Sequence, residues 1–250
     1  MVTFKRSSCL VRKTTYGLTN PNMYRRILMC LSLAMLTACS TARMERLPGL
    51  EADTVSYQLS EIPSSGSGTD LVFGPYKATD LSRSWTRGVI SGWNITLIKH
   101  RKRERELDYD FQFEGKNIWD VVCKVKRGNE ELGIIEGAFY SSLNCFFIPM
   151  NSELAEWRLF LEGGLSDRSE GIIKLGGKNV ILRSVDKLEG SPVRINRNTG
   201  YYFIMEEQVV AAVDVISREG PVWLSESLSQ EEKDKIAMIA FALLLCGGAW

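Results

Sequence analysis

The run IAMIAFALLLC, Ile236 to Cys246, constrains this chain more than any other stretch, because every residue in it is apolar. Ser229, Gln230, Glu231 and Glu232 precede it as an S-x-x-E capping box. In such a box the serine hydroxyl accepts from the Glu232 amide, the carboxylate reaches back, and early acids suit the positive end of the helix dipole. Gly247 and Gly248 punctuate its end, so a helix over 229–246 is expected. A helix that is apolar all round has no face to give to water and must be surrounded. The run rises only about 16 Å, against about 30 Å of hydrocarbon in a bilayer. It therefore predicts a buried core helix rather than a second membrane anchor, and the rest of the fold must supply a shell around it.

The shell is expected to be β. From about Val72 onward the chain shows short segments with period-two alternation or β-branched and aromatic enrichment, broken by Gly, Asn, Asp and Ser clusters. The candidates are VISGWNITLIKH, ELDYDFQFEG, NIWDVVCKVKRG, ELGIIEGAFY, LNCFFIPM, EWRLFLEG, EGIIKLGG, KNVILRSVD, TGYYFIME and EQVVAAVDVIS. Hairpin turns are expected at Arg127-Gly128-Asn129, at Gly176-Gly177 and at Asn198-Thr199-Gly200, where Gly and Asn supply positive φ. No βα unit repeats, which excludes a parallel nucleotide-binding sheet. The expected fold is mainly β, an antiparallel barrel or sandwich of about ten or more strands around a buried hydrophobic C-terminal helix.

A strand series closed by AMIAFALLLC resembles the tubby-like architecture, in which a closed sheet wraps a hydrophobic C-terminal helix. The resemblance covers about residues 72–250. Its members include phosphoinositide-binding and scramblase-related proteins, but no basic ligand pocket of theirs maps onto positions here, and likeness of fold transfers no function.

The other end of the chain has its own signature. Arg25 and Arg26 precede ILMCLSLAMLTA, Ile27 to Ala38, an apolar run of the length of a signal-peptide core. Leu36, Thr37, Ala38 and Cys39 then resemble the lipobox of bacterial lipoproteins, which implies cleavage before Cys39 and acylation of its thiol. Met23 offers a start that would give a leader of ordinary length. Ser40, non-acidic, implies by the same resemblance delivery to the outer membrane of a diderm envelope. Residues 1–38 are thus expected to be the signal peptide. Residues 39–71, rich in Ser, Gly and Pro, are expected to be a flexible tether, with VSYQLSEI a candidate strand returning to the main domain over 72–250.

Processing changes the charge. Lys5, Arg6, Arg12, Lys13, Arg25 and Arg26 lie in the leader, which holds no acid, leaving 25 of the 31 basic residues against 30 acidic ones. That balance, with export, argues against a nucleic-acid partner. Of six cysteines, Cys9 and Cys30 fall in the leader and Cys39 is the lipid site. In an oxidising compartment Cys123 and Cys145 are a candidate disulfide that would contribute about 3 kcal/mol; the alternative is two separate buried thiols. Cys246 reads as a small core residue.

Catalytic signatures are sparse. The sole histidine, His100, lies in IKHRKRERE, which reads as a solvated turn, so a Ser-His or Cys-His arrangement has a single candidate base. Gly66-Ser67-Gly68 lacks the strand-turn-helix setting of a nucleophile elbow. The segment Gly171 to Lys178 has its lysine displaced by one position from a phosphate loop and is followed by no Ser or Thr. No metal site is expected, because the mature thiols are not spaced as ligand pairs, and no cofactor is implied. Asp108 and Asp110 share a strand face, as a carboxylate-dependent hydrolase acting on glycans would need, but so do many solvated pairs.

The basic residues Arg101, Lys102, Arg103 and Arg105 are candidate contacts for anionic headgroups or lipopolysaccharide phosphates; the alternative is a charged hairpin end that keeps a sheet edge unpaired. Trp85, Trp93, Trp119, Trp157 and Trp223 sit at strand positions, where packing is the expected role rather than a sugar-binding platform. Together these features point to a non-enzymatic, periplasm-facing lipoprotein, held to the membrane through Cys39, that binds or helps assemble an envelope partner. A lipid-binding or lipid-transferring barrel module, or a carboxylate-dependent envelope hydrolase, are the other readings.

Overall fold

In the computed structural model the described residues are 42–46, 50, 53–60, 70–95, 98–132, 135–151, 153–163, 170–195, 198–216 and 220–247. Among these, the side chains of 85–87, 89, 92–95, 98–101, 129–132, 135–140 and 247 fall outside the description. Cys39 and the expected leader lie outside the described residues, as does Gly66-Ser67-Gly68.

Twelve strands form one antiparallel sheet. They are β1 (Thr54–Tyr57), β2 (Leu71–Phe73), β3 (Tyr76–Ile95), β4 (Ile98–Glu114), β5 (Ile118–Leu132), β6 (Ile135–Pro149), β7 (Trp157–Gly163), β8 (Glu170–Leu175), β9 (Lys178–Val185), β10 (Gly200–Met205), β11 (Gln208–Asp214) and β12 (Val222–Ser225). Neighbours in the sheet run β1-β12-β11-β10-β9-β8-β7-β6-β5-β4-β3-β2, so from β2 to β12 the sheet is an unbroken meander and β1 joins at the end. The two edges come together just past β1: Ser60 N donates to Val72 O at 2.8 Å, and Val72 N donates to Ser60 Oγ at 2.8 Å. The sheet thus nearly closes into a barrel, which protects edges that would otherwise template pairing with another chain.

The single described helix, α1 (Gln230–Gly247), fills that barrel. Its residues Ile236 to Cys246 are all buried, the most exposed at 7%. Inward side chains of the strands meet them: Phe241 packs against Phe73 at 4.5 Å between ring centroids, and against Phe113 and Phe111 at 6.1 and 6.2 Å. The period-two alternation of β4, with Leu107, Tyr109, Phe111 and Phe113 buried and Asp110 exposed, is the pattern of a wall with one dry face. The capping box forms as expected. Ser229 N donates to Glu232 Oε2 at 2.8 Å, and Glu232 N donates to Ser229 Oγ at 3.3 Å. Buried Asp234 ties this end of α1 to the β4–β5 turn by accepting from Lys116 N at 2.9 Å.

Three expectations change. Within the tether expected over 39–71, the described residues belong to the sheet domain, and the candidate strand VSYQLSEI supplies β1. Met44 is fully buried, its amide donates to Asp214 Oδ2 at 2.9 Å, and it bridges Leu188, while Leu50 and Leu59 are buried and β1 lies in the sheet. Sparse as they are, these apolar residues each find a site, and Met44, Leu50, Val185, Tyr202, Ala212 and Trp223 form a second cluster on the barrel's outside. The turn expected at Arg127-Gly128-Asn129 is the middle of β5, paired with both β4 and β6. In a sheet interior, ladder hydrogen bonds on both sides outweigh the turn preference of Gly-Asn. VISGWNITLIKH, expected as one strand, spans the end of β3 and the start of β4, which meet at Ile95 and Ile98.

The Gly176-Gly177 turn does join β8 to β9, with φ of 54° and 82°. Asn198 and Thr199 end the longer loop that leads into β10. That loop is held by Thr199 N donating to Val185 O at 2.7 Å and by a Lys187–Arg194 bridge.

Candidate functional site

Strands β3 to β6 are about twice the length of most others, and their inner faces change character along the way. A last dry row runs Leu107 on β4, Val125 on β5, Leu143 on β6 and Leu161 on β7, each at 2–4% exposure and in register. The next row toward the β3–β4 turn is Arg105, Arg127, Ser141 and Gly163. Arg105 therefore stands directly across from Arg127, and Arg103 follows two residues on, opposite Asn129. On the other side, Arg83 pairs in register with Tyr109, on the same inner face as Leu81.

This arginine-lined mouth lies at the C-terminal end of α1. Arg83 Nη2 donates to Leu245 O at 2.6 Å, a carbonyl in the last turn that has no partner within the helix, and Tyr109 OH donates to Ala242 O one turn earlier at 2.7 Å. The guanidinium also complements the negative end of the helix dipole. Arg83 Nε is buried with no hydrogen-bond partner. Burial pulls Arg127 down to about 9, which leaves it charged at neutral pH, and the neighbouring Cys246 and Tyr201 act on it electrostatically. Burial pushes the Cys246 thiol up to about 11, so it stays protonated and behaves as the small core residue expected.

The structure splits the basic run by parity. Arg103 and Arg105 share the inner face with Leu107 and Tyr109. Lys102, Glu104 and Glu106 take the outer face, where Lys102 pairs with Glu104 at 2.9 Å and Lys126 pairs with Glu106 at 2.9 Å. Neither Arg103 nor Arg105 has an ion pair among the described residues, and both are exposed. For Arg101 only the backbone is described; it pairs with Glu131 in register. The run is thus not a sheet edge: β4 is flanked by β3 and β5 along its length. His100 likewise lies in strand, opposite Trp93, rather than in a turn.

Cys123 and Cys145 face each other across β5 and β6 with Cα atoms 4.1 Å apart and sulfurs bonded at 2.05 Å. Asp108 and Asp110 share the outer face of β4. Asp108 lies 3.7 Å from Lys124, and Asp110 is exposed. Trp119 and Trp223 are buried, and Trp157 stacks on Phe147 at 3.7 Å, so these three pack; the side chains of Trp85 and Trp93 lie outside the described set. Among the described residues no His, Cys, Asp and Glu group could hold a metal, and no helix is long and apolar enough to cross a membrane.

Sequence reasoning found Arg103 and Arg105 but missed Arg83 and Arg127, which join them only through strand register. No protein-family model, curated protein or solved structure matches the chain.

Proposed function

We propose that this protein is a lipid-anchored, non-enzymatic envelope module, attached to the outer membrane through Cys39, whose barrel mouth binds anionic groups such as headgroup phosphates. The observation that carries the binding part is Arg105 facing Arg127. Like charges directly opposite on neighbouring strands destabilise a sheet, and two more guanidinium groups, of Arg83 and Arg103, stand on the same face. Guanidinium donors suit phosphate geometrically as well as electrostatically.

The anchor part rests on the basic, apolar and small-residue succession that ends at Cys39, and the Cys123–Cys145 bond agrees with an oxidising compartment. A lipid-transferring module is the weaker reading, since transfer needs a cavity and the barrel interior is occupied by α1, with Phe241 at its centre. A carboxylate-dependent hydrolase is weaker still, because Asp110 is exposed and Asp108 lies beside Lys124 on the outer face of β4, as solvated strand carboxylates do. Replacing Cys39 by Ala is expected to abolish palmitate labelling and leave the precursor uncleaved. A processed, labelled C39A chain would overturn the anchor.

A further inference from the structure

The turns of the barrel divide between its two ends. At the N-terminal end of α1 lie the β4–β5 and β8–β9 turns, where Lys116 N meets Asp234 and Gly176 approaches Glu232. The β3–β4 and β5–β6 hairpin ends therefore lie at the opposite end, with the mouth. So does the loop from β9 to β10, because β9 leaves the Gly176-Gly177 turn and runs the other way.

The same end receives the N-terminal segment. Met44 bridges Leu188 in the β9–β10 loop, Glu45 N donates to Lys187 O at 3.0 Å, and Glu189 N donates to Arg43 O at 3.0 Å. Four residues, Ser40 to Arg43, lie between Cys39 and Met44, a reach of at most about 18 Å. An acyl group on Cys39 would keep this end of the barrel within that reach of a bilayer.

The hairpin ends that project from this mouth have a fitting composition. β3 and β4 close at Ile95 opposite Ile98, with Trp93 two residues earlier, and β5 and β6 close at Leu132 opposite Ile135. Between these apolar ends and the dry core lies the charged zone. Glu131 and Glu130 stand opposite Arg101 and Lys102, whereas Arg103 and Arg105 face Asn129 and Arg127. From Arg105 to Ile98 the strand advances about 24 Å, enough to carry the ends well clear of the barrel. Apolar residues at an extremity, with Arg103 and Arg105 exposed behind them and in no ion pair among the described residues, match the layering of a membrane interface, where anionic headgroups overlie hydrocarbon.

We propose that the β3–β4 and β5–β6 hairpin ends dock the barrel mouth-first on an anionic bilayer surface, their apolar residues entering the interface while Arg103, Arg105 and Arg127 meet lipid phosphates. The proposal deepens the lipoprotein reading and rests on it for the leash at Cys39. The hairpin ends and the arginine face stand apart from that leash.

The test uses the full chain produced in a diderm host and reconstituted into vesicles of phosphatidylethanolamine and phosphatidylglycerol, with the intact mass reporting acylation of Cys39. An environment-sensitive fluorophore is placed at Ile98→Cys, at Leu132→Cys and, at the far end, at Gly177→Cys; Cys123 and Cys145 are bonded and Cys246 is buried, and the parent chain labelled in parallel accounts for Cys9, Cys30 and any unacylated Cys39. Emission at 98 and 132 is expected to shift to the blue and to be quenched by brominated acyl chains, with no change at 177. Exchanging phosphatidylglycerol for phosphatidylcholine, or introducing Arg103→Gln, is expected to weaken the quenching, about fivefold in apparent affinity for the single arginine.

If an acylated chain gives the same unshifted emission at 98, 132 and 177, the docking proposal falls while the lipoprotein reading stands. If the mass shows no acyl group but 98 and 132 still report the bilayer, the docking stands and the lipoprotein reading falls. Should either labelled variant melt below the parent chain, Gly128→Cys on β5 replaces it, and quenching there weaker than at the hairpin ends is the result docking requires.

Discussion

Arg105 and Arg127 are partners in the β4–β5 ladder with no intervening acid on their row, immediately beyond Leu107 and Val125, which are each 2% exposed. Two positive charges at the rim of a hydrophobic core are an arrangement that stability alone would remove. Arg105→Glu would turn a repulsive pair into an attractive one. Thermal unfolding is expected to move up by about 2–4 °C, corresponding to about 1 kcal/mol, while affinity for phosphatidylglycerol vesicles drops about 20-fold. Lower stability together with unchanged vesicle binding would mean that the pair serves packing.

Met44 is expected to behave as a core residue although it precedes the first strand. A Cβ built on Gly200 would overlap Met44 Sδ and Val213 O, so Gly200→Ala should cost about 1–3 kcal/mol. Met44→Ala should cost about 2–5 kcal/mol by emptying the same site. The double variant should cost less than the sum of the two single costs, because the smaller side chain removes the Met44 part of the overlap while the contact with Val213 O remains. Chemical denaturation of the three variants measures this; a flexible tether would leave Met44→Ala silent.

The β10–β11 hairpin turns on Glu206 and Glu207, with φ of 51° and 67°. Both residues hold a left-handed conformation in which the Cβ crowds the following carbonyl oxygen, and which Asn-Gly adopts readily in a two-residue turn. Glu206→Asn with Glu207→Gly is expected to stabilise by about 1 kcal/mol, read as a higher denaturation midpoint with an unchanged slope. The exchange also removes the Lys178–Glu206 pair at 3.3 Å, which is exposed and contributes little.

The α1 cap carries a pH signature. Hydrogen bonds from the Ser229 hydroxyl and amide hold the Glu232 carboxyl below its ordinary value of 4.5, with Lys178 and Lys235 adding in the same direction. A lowered folded-state value means stability that is present at neutral pH and is lost as pH falls below 4.5 toward that lowered value. Glu232→Gln should therefore lower the melting temperature at pH 7, by about 0.3–1 kcal/mol in free energy. The gap should narrow as pH falls below 4.5 and the carboxyl takes up its proton. A gap independent of pH would assign the effect to shape rather than charge.

The helix was legible because eleven consecutive apolar residues leave only one physical solution, and its cap because Ser229 and Glu232 are spaced for reciprocal bonding. The Cys123–Cys145 pairing was legible as a possibility from strand context, though only register makes them opposite. Much of β3 was not legible. YKATDLSRSWTRG carries polar residues on its wet face, and Asp80, at φ of 51°, breaks the alternation with a bulge. β2 and β12 were too short to signal. The mouth was half visible: the basic run stood out as a block, yet a period of two sends Arg103 and Arg105 one way and Lys102 and Glu104 the other. Arg83 and Arg127 arrive from strands that only the completed sheet makes neighbours.

The order of elements along the chain sets the order of assembly. All twelve strands precede α1, so each inward Leu, Val and Phe is synthesised before the segment that will cover it. A staple between β5 and β6 can lock at Cys123 and Cys145 early, because both strands are already present. The wall nevertheless stays an open, sticky sheet until the last described element slides in. A chain built this way depends on whatever shields half-made sheets until the helix arrives, and its maturation ends in one late, cooperative insertion rather than in gradual layering.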